Sequence, residues 1–176
     1  MVDTLTEHGK PTDPAMSAMS SRGRLWLLIV ACLDVSIVVS SMIALNTALG
    51  DIAVSTSATQ TQLTWVVDGY TLALACLLLP AGAIGDRYGR RGALLIGLVI
   101  FGLASAAPLV FTSPLQLILA RAAAGAGAAF IMPATLSLLT AAYPKEMRSR
   151  AVGIWAGVVG SGAVVGFLGS GLLLRH

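Results

Sequence analysis

The sequence predicts an all-α fold, a polytopic membrane helical bundle, and three observations predict it. The 176 residues are 56% apolar and only 11% charged, with a mean hydropathy of +0.86, far outside the range of water-soluble domains. The apolar residues fall into five runs, each near the roughly 20 residues that cross a bilayer as a helix. Apart from Arg121, Lys and Arg stay in the termini and in every second segment between runs, the pattern of a chain that crosses and recrosses a membrane.

Residues 1–23, with Pro11, Pro14 and many Ser and Thr, carry no periodic apolar pattern and read as a disordered cytoplasmic tail. The remainder, 24–176, reads as one membrane domain. Its first span covers about 25–45, with Trp26 near its start as an interfacial anchor and Asp34 nearer mid-membrane. A secretory signal peptide is the competing account of this run, but a long polar stretch precedes it and its apolar core exceeds the usual ~7–15 residues. It is read as a retained span.

The second span, about 63–84, opens near Trp65, carries Asp68 and contains Pro80, a candidate kink. The third covers about 92–111. The fourth, about 114–140, is long enough to tilt or to extend beyond the bilayer; it holds Arg121 near its start and Pro133 inside. The fifth, about 150–174, contains Gly153, Gly157, Gly160, Gly162, Gly166 and Gly169, overlapping small-residue faces that let backbones approach closely. It ends within two residues of His176, and five helices ending so abruptly look like part of a larger bundle.

Orientation follows from the segments between spans. Lys10, Arg22 and Arg24 precede the first; Arg87, Arg90 and Arg91 lie between the second and third; Lys145, Arg148 and Arg150 lie between the fourth and fifth. The intervening segments, about 46–62 and 112–113, hold no Lys or Arg. Cytoplasmic loops are enriched in these residues, so the N-terminus is expected in the cytoplasm and the C-terminal end of the chain outside. The net charge of +3 reflects these anchors, not a nucleic-acid-binding face.

Cys32 and Cys76 fall inside predicted spans and read as small packing residues. No stretch offers metal-ligand spacing, a nucleophile beside a base, or a phosphate-cradling loop. No metal, no cofactor and no enzymatic activity are therefore expected.

The segment Gly82–Arg91 concentrates charge and glycine between two apolar runs. Gly82 and Gly89 permit close helix approach and a tight turn. Asp86 can accept from free N–H groups at a helix start or pair with a neighbouring Arg. With Arg87, Arg90 and Arg91 it forms a latch that can open; the alternative is a topology anchor, which the three arginines satisfy unaided.

Inside the spans the charges are few. Arg121 lies about 10 Å below the outer surface at 1.5 Å per residue, and Asp68 agrees with it in depth within roughly 3 Å. Asp34 lies about 6 Å deeper. An intramembrane Arg faces protein or water and needs a partner, and depth favours Asp68.

Four segments in order resemble the major facilitator superfamily, and within it the fourteen-span drug:proton antiporter branch of multidrug efflux proteins. They are Gly82-x-x-x-Asp86-Arg87-x-Gly89-Arg90-Arg91 between spans two and three; Trp65-Val-Val-Asp68-Gly-Tyr70-Thr-Leu at the start of span two; Arg121-Ala-Ala-Ala124-Gly125-Ala-Gly127 in span four; and Gly153, Gly162, Gly166 and Gly171 in span five. The resemblance covers about 25–174 and corresponds to the first five of fourteen spans.

Three of the motifs depart from the family pattern. Phe167 stands where the span-five motif has Pro, with Ser170 for its penultimate Gly; Ala124 replaces the span-four Gln; and Ser41 and Gly50 stand where the first-span motif has Asp and Pro. The acidic residue of span one is instead Asp34, two turns earlier on roughly the same face.

The resemblance implies proton-coupled export of hydrophobic or cationic small molecules, with membrane lipid, protons as coupling ion and further C-terminal helices as partners. It also implies a loop that clasps a neighbouring helix in one access state. Family architecture lines the cavity with spans one and four and so favours Asp34 beside Arg121. Asp34, Asp68 and Arg121 are the proton-coupling candidates, against a static ion pair that only fixes packing. Gly125, Gly127, Gly153, Gly162, Gly166 and Gly171 are the packing or gating candidates. The alternative is a truncated membrane protein without transport of its own.

Overall fold

A computed structural model describes residues 20–110 and 113–173. Among them are helices α1 (Ser21–Thr56), α2 (Gln60–Tyr88), α3 (Arg90–Ala106), α4 (Pro114–Ala142) and α5 (Lys145–Leu173), with a 3-10 turn at Ala107–Leu109 after α3. The described residues contain no strand. The expected all-α bundle is found, and by length and composition α1 over Ser21–Asn46, α2 and α4 are each able to cross a membrane.

The helices outrun the apolar runs that announced them. The Ser20 hydroxyl accepts from the Gly23 amide at 3.3 Å, an N-cap that puts Ser21, Arg22 and Gly23 in helix rather than in the expected tail; residues 1–19 lie outside the described residues. At its other end α1 continues through most of the segment expected as a loop, 46–62. Its 36 residues measure about 54 Å at 1.5 Å per residue, against about 30 Å of hydrocarbon, so several turns extend past the bilayer. Hydropathy marks where the bilayer ends, whereas the helix ends where its capping does. Ser57 closes α1 with φ of 51°. Thr59 and Gln62 then open α2 with reciprocal side-chain bonds to each other's amides, at 3.3 and 2.9 Å, a capping box.

The same holds for the charged segment between the second and third spans. Only Gly89, with φ of 113°, separates α2 from α3; Asp86 and Arg87 are in the last turn of α2, and Arg90 and Arg91 in the first turn of α3. A positive φ is strained for any residue with a Cβ, which is why the turn is glycine. Pro108 closes off α3 through the 3-10 turn, earlier than the expected end at 111. Pro114 starts α4 at a position where its missing N–H is harmless.

Packing is centred on α4. It is buried on nearly every turn from Leu117 to Ala142, and α2 and α3 pack most extensively against it, while α1 packs mainly on α5 and less on α4. The reason is side-chain size. Ala120, Ala124, Gly125, Gly127, Ala128 and Ala129 leave α4 almost smooth, so neighbouring backbones come close and dispersion contacts replace the hydrophobic effect that lipid does not supply. Val38 of α1, Tyr70 of α2 and Phe101 of α3 converge on Ala124, Ala128 and Ile131.

All three basic segments meet at one end of the bundle. The Tyr143 hydroxyl donates to the Arg24 carbonyl at 3.1 Å, the Arg148 Nε donates to the Tyr143 carbonyl at 3.0 Å, and Arg90 reaches α4 nearby. Tyr143→Phe removes the tie between α1 and α4 and is expected to cost about 0.5–1.5 kcal/mol. In detergent its thermal midpoint should fall, while that of Tyr88→Phe, at a residue 77% exposed, should not. Equal midpoints would mean the tie contributes nothing.

Glycines of α5 are placed differently from expectation. A Cβ at Gly153, Gly157 or Gly160 would meet nothing within 4 Å, and among the α5 glycines whose surroundings are described only Gly162 is in close contact, with Val39 Cβ 3.4 Å from where its Cβ would sit. The Ser40 hydroxyl donates to the Gly162 carbonyl at 3.3 Å, so α5 is held to α1 at one point of its glycine face. The surroundings of Gly166, Gly169 and Gly171 lie outside the described residues.

Candidate functional site

Three polar features sit on this framework at different depths. The deepest from the basic end is built by α2 and α4, which run parallel. Arg121 is 7% exposed and Tyr70 1% exposed, and the guanidinium carbon of Arg121 lies 4.4 Å from the centre of the Tyr70 ring, within cation–π range. The sequence spelled out Tyr70 inside the span-two segment but gave it no role. Tyr70 lies five residues from Trp65, about 140° around the helix, and that spacing does not say which of the two faces a neighbouring helix until the partner is placed.

Neither carboxylate candidate reaches Arg121. Asp68 matches it in depth, but residues two apart differ by about 200° around a helix; with Tyr70 facing α4, Asp68 is exposed on the opposite side of α2. Asp34 is buried, 8% exposed, on the face of α1 that carries Ala31, Val35 and Val38. The tie between Tyr143 and Arg24 and the packing of Val38 on Ala124 and Ala128 set the register of antiparallel α1 and α4. Counted from that register, Asp34 is level with the region of Pro133, about 18 Å along the axis from Arg121. The ion pair weighed from depth and from family architecture is therefore absent among the described residues. Asp34 Oδ2 and Arg121 Nε are both buried without a hydrogen-bond partner, which is costly for polar groups unless another state or ligand satisfies them.

The third feature is the turn at the basic end. Arg90 Nε donates to Asp86 Oδ1 at 3.4 Å across one helical turn interrupted by Gly89. Its Nη1 donates to the Ser137 carbonyl of α4 at 3.0 Å. Arg90 thus ties the charged turn to a neighbouring helix. Arg87 lies over the Tyr88 ring at 5.6 Å, and Arg91 is exposed. Below the turn, Ala81, Gly85, Asp86, Arg90, Pro133 and Thr140 are among the residues lining a groove of about 330 Å³. Gly85, not Gly82, is the tighter approach: a Cβ there would lie 3.2 Å from Ala93 Cβ, whereas at Gly82 it would meet Pro133 at an ordinary 3.6 Å.

The span-four glycines are crowded. A Cβ at Gly125 would collide with the Tyr70 carbonyl oxygen; one at Gly127 would fall 2.7 Å from the Phe101 amide nitrogen and 2.8 Å from the Gly97 carbonyl oxygen. Gly97 of α3 answers it, 2.9 Å from the Gly127 carbonyl oxygen by the same measure. This second half of the contact, on a helix whose glycines the sequence reading left aside, appears only once α3 and α4 are docked.

The family model described as Major Facilitator Superfamily matches residues 25–176. Among curated proteins, the chain is 40% identical over 147 residues to the methylenomycin A resistance protein of Streptomyces coelicolor, covering 83% of this chain and 30% of that protein. It is 38% identical over 155 residues to the methyl viologen resistance protein SmvA of Salmonella typhimurium, covering 87% of this chain and 31% of that protein. It is likewise 38% identical over 155 residues to the multidrug efflux pump LfrA of Mycolicibacterium smegmatis, covering 87% and 31%. The chain thus spans less than a third of the length of these relatives. With an all-helical membrane bundle and a match over nearly its whole length, the chain belongs to the major facilitator superfamily.

Proposed function

We propose that the chain forms the N-terminal portion of a proton-coupled exporter of hydrophobic or cationic compounds, with its N-terminus and basic end in the cytoplasm. Three relatives named for resistance or efflux support the substrate class, and the gathering of the Lys- and Arg-bearing segments at one end supports the orientation. The observation that carries the reading is Asp34: a carboxyl 8% exposed, inside an apolar helix, with one oxygen unpartnered. Ionisable groups at such depth are costly and mark ion or proton pathways. Asp34 is the group that takes up and releases the coupling proton as access alternates.

Asp68 has a separate part. An exposed carboxylate in the outer half of a membrane helix faces water or further helices rather than lipid, so the outward face of α2 borders the transport path. The Gly89 turn, held to α4 through Arg90, is the latch of one access state.

The test is export by the complete reading frame that carries residues 1–176, in everted vesicles with a panel of organic cations that includes methyl viologen. Asp34→Asn is expected to abolish proton-driven export, a loss of at least about 100-fold if the proton relay is obligatory. Asp68→Asn should weaken export of cations more than that of neutral compounds. Wild-type frames that export nothing, or unchanged coupling in Asp34→Asn, would overturn the reading.

A further inference from the structure

We propose that Tyr70 is the positioning residue for Arg121: the face of its ring, in place of a carboxylate, holds the buried guanidinium and leaves Nε directed to no protein acceptor. A guanidinium at this depth must be held by something. Asp68 points away on the far side of α2, and Asp34 lies several turns towards the basic end. What lies against Arg121 is the ring, 4.4 Å from its guanidinium carbon, with both side chains closed off from solvent.

The ring is itself fixed by backbone contacts. The Tyr70 carbonyl is pressed against Gly125, one turn beyond Arg121 on α4, and neighbouring Gly69 leaves room for Ile118, whose Cγ2 and carbonyl oxygen lie 3.7 Å from where its Cβ would be. Side chains on a helix lean back towards its N-terminus, and α2 and α4 run parallel. Seating the Tyr70 backbone on Gly125 therefore lays the ring back over Arg121. A ring face holds a cation without occupying its N–H donors, and this explains how Nε remains buried and unpaired. A carboxylate partner would have taken that donor. The free donor is then open to an acceptor that arrives during the transport cycle. The role in transport rests on the exporter reading above; the contact between ring and cation does not.

The decisive experiment replaces Tyr70 by Phe and then by mono-, di- and trifluorinated phenylalanines, which keep size and apolar character while draining the negative face of the ring. Two quantities are measured: the thermal midpoint of the purified 176-residue chain in detergent, and export of an organic cation by the complete reading frame. Tyr70→Phe should match wild type in both. Each added fluorine should lower the midpoint and slow export, to roughly tenfold by the trifluoro ring, and the trend should vanish in an Arg121→Gln background. A flat series, or the same slope without Arg121, would overturn the proposal and return Tyr70 to a packing role. Should the wild-type frame export nothing, the exporter reading fails alone, because the midpoint series still decides whether the ring holds the cation.

Discussion

Gly125→Val is expected to abolish recovery of folded chain, and Gly125→Ala to lower its thermal midpoint sharply. The added Cβ would collide with the Tyr70 carbonyl oxygen and lie 3.0 Å from its carbonyl carbon and 3.1 Å from its Cα. These are backbone atoms of a neighbouring helix, so no rotamer change relieves the clash and α2 must move as a body. One methyl forced into such a contact costs about 1–3 kcal/mol, and Val adds two further carbons. Displacing α2 also lifts the Tyr70 ring from Arg121, leaving a buried cation without its holder. Gly102→Ala is the control. Its Cβ meets nothing within 4 Å, and replacing Gly by Ala in an open helical position is neutral or stabilising by up to about 1 kcal/mol. Thermal unfolding in detergent, followed by size-exclusion chromatography, separates the two; matching midpoints for Gly125→Ala and Gly102→Ala would show that α2 yields freely at this point.

Arg90→Ala should reduce export by about tenfold, the equivalent of one charged hydrogen bond, while Arg91→Ala leaves it near wild type. Each change removes one positive charge from the same turn, so each weakens the topological signal equally. Only Arg90 crosses to α4, donating to the Ser137 carbonyl at 3.0 Å. Its pairing with Asp86 is between groups 29% and 45% exposed and contributes about 0–1 kcal/mol; the bond to Ser137 is the one that joins two helices. Arg90→Lys keeps the charge but cannot serve Asp86 and Ser137 together with one planar fork, and should fall between. Export by the complete reading frame, with cysteine labelling to confirm orientation, checks this. Equal losses in Arg90→Ala and Arg91→Ala would reduce the turn to an anchor.

Much of the fold was legible because lipid imposes a simple rule. Apolar runs of sufficient length must be helices, and the near start of α4 at Pro114 was marked by a residue that favours that position. The ends of α1 were not legible from hydropathy, since Ser20, Ser57 and the Thr59–Gln62 pair act through backbone capping. The candidate site was legible in kind but not in pairing. Asp34, Asp68 and Arg121 stood out as charges in apolar helices, and depth was well estimated for Asp68. Azimuth was not: which side of α2 meets α4 is decided by Gly69 and Gly125 together, and that choice turned Asp68 away and brought Tyr70 in. In α5 the glycine spacing likewise announced close packing, yet among the described residues only Gly162 receives a neighbour.

By itself, then, the sequence determined that this is a helical membrane bundle, where its charges lie along the chain, and that a tight turn lies within Gly82–Arg91. These follow from composition, spacing and local backbone conformation, which need no partner. Only the tertiary structure decided that Arg121 rests on an aromatic ring, that Arg90 rather than Arg91 holds α4, and that Gly97 and Gly127 form one contact. Each depends on the rotation and register of one helix against another. Those are set by many small contacts summed along the interface, and no single residue in the sequence encodes them.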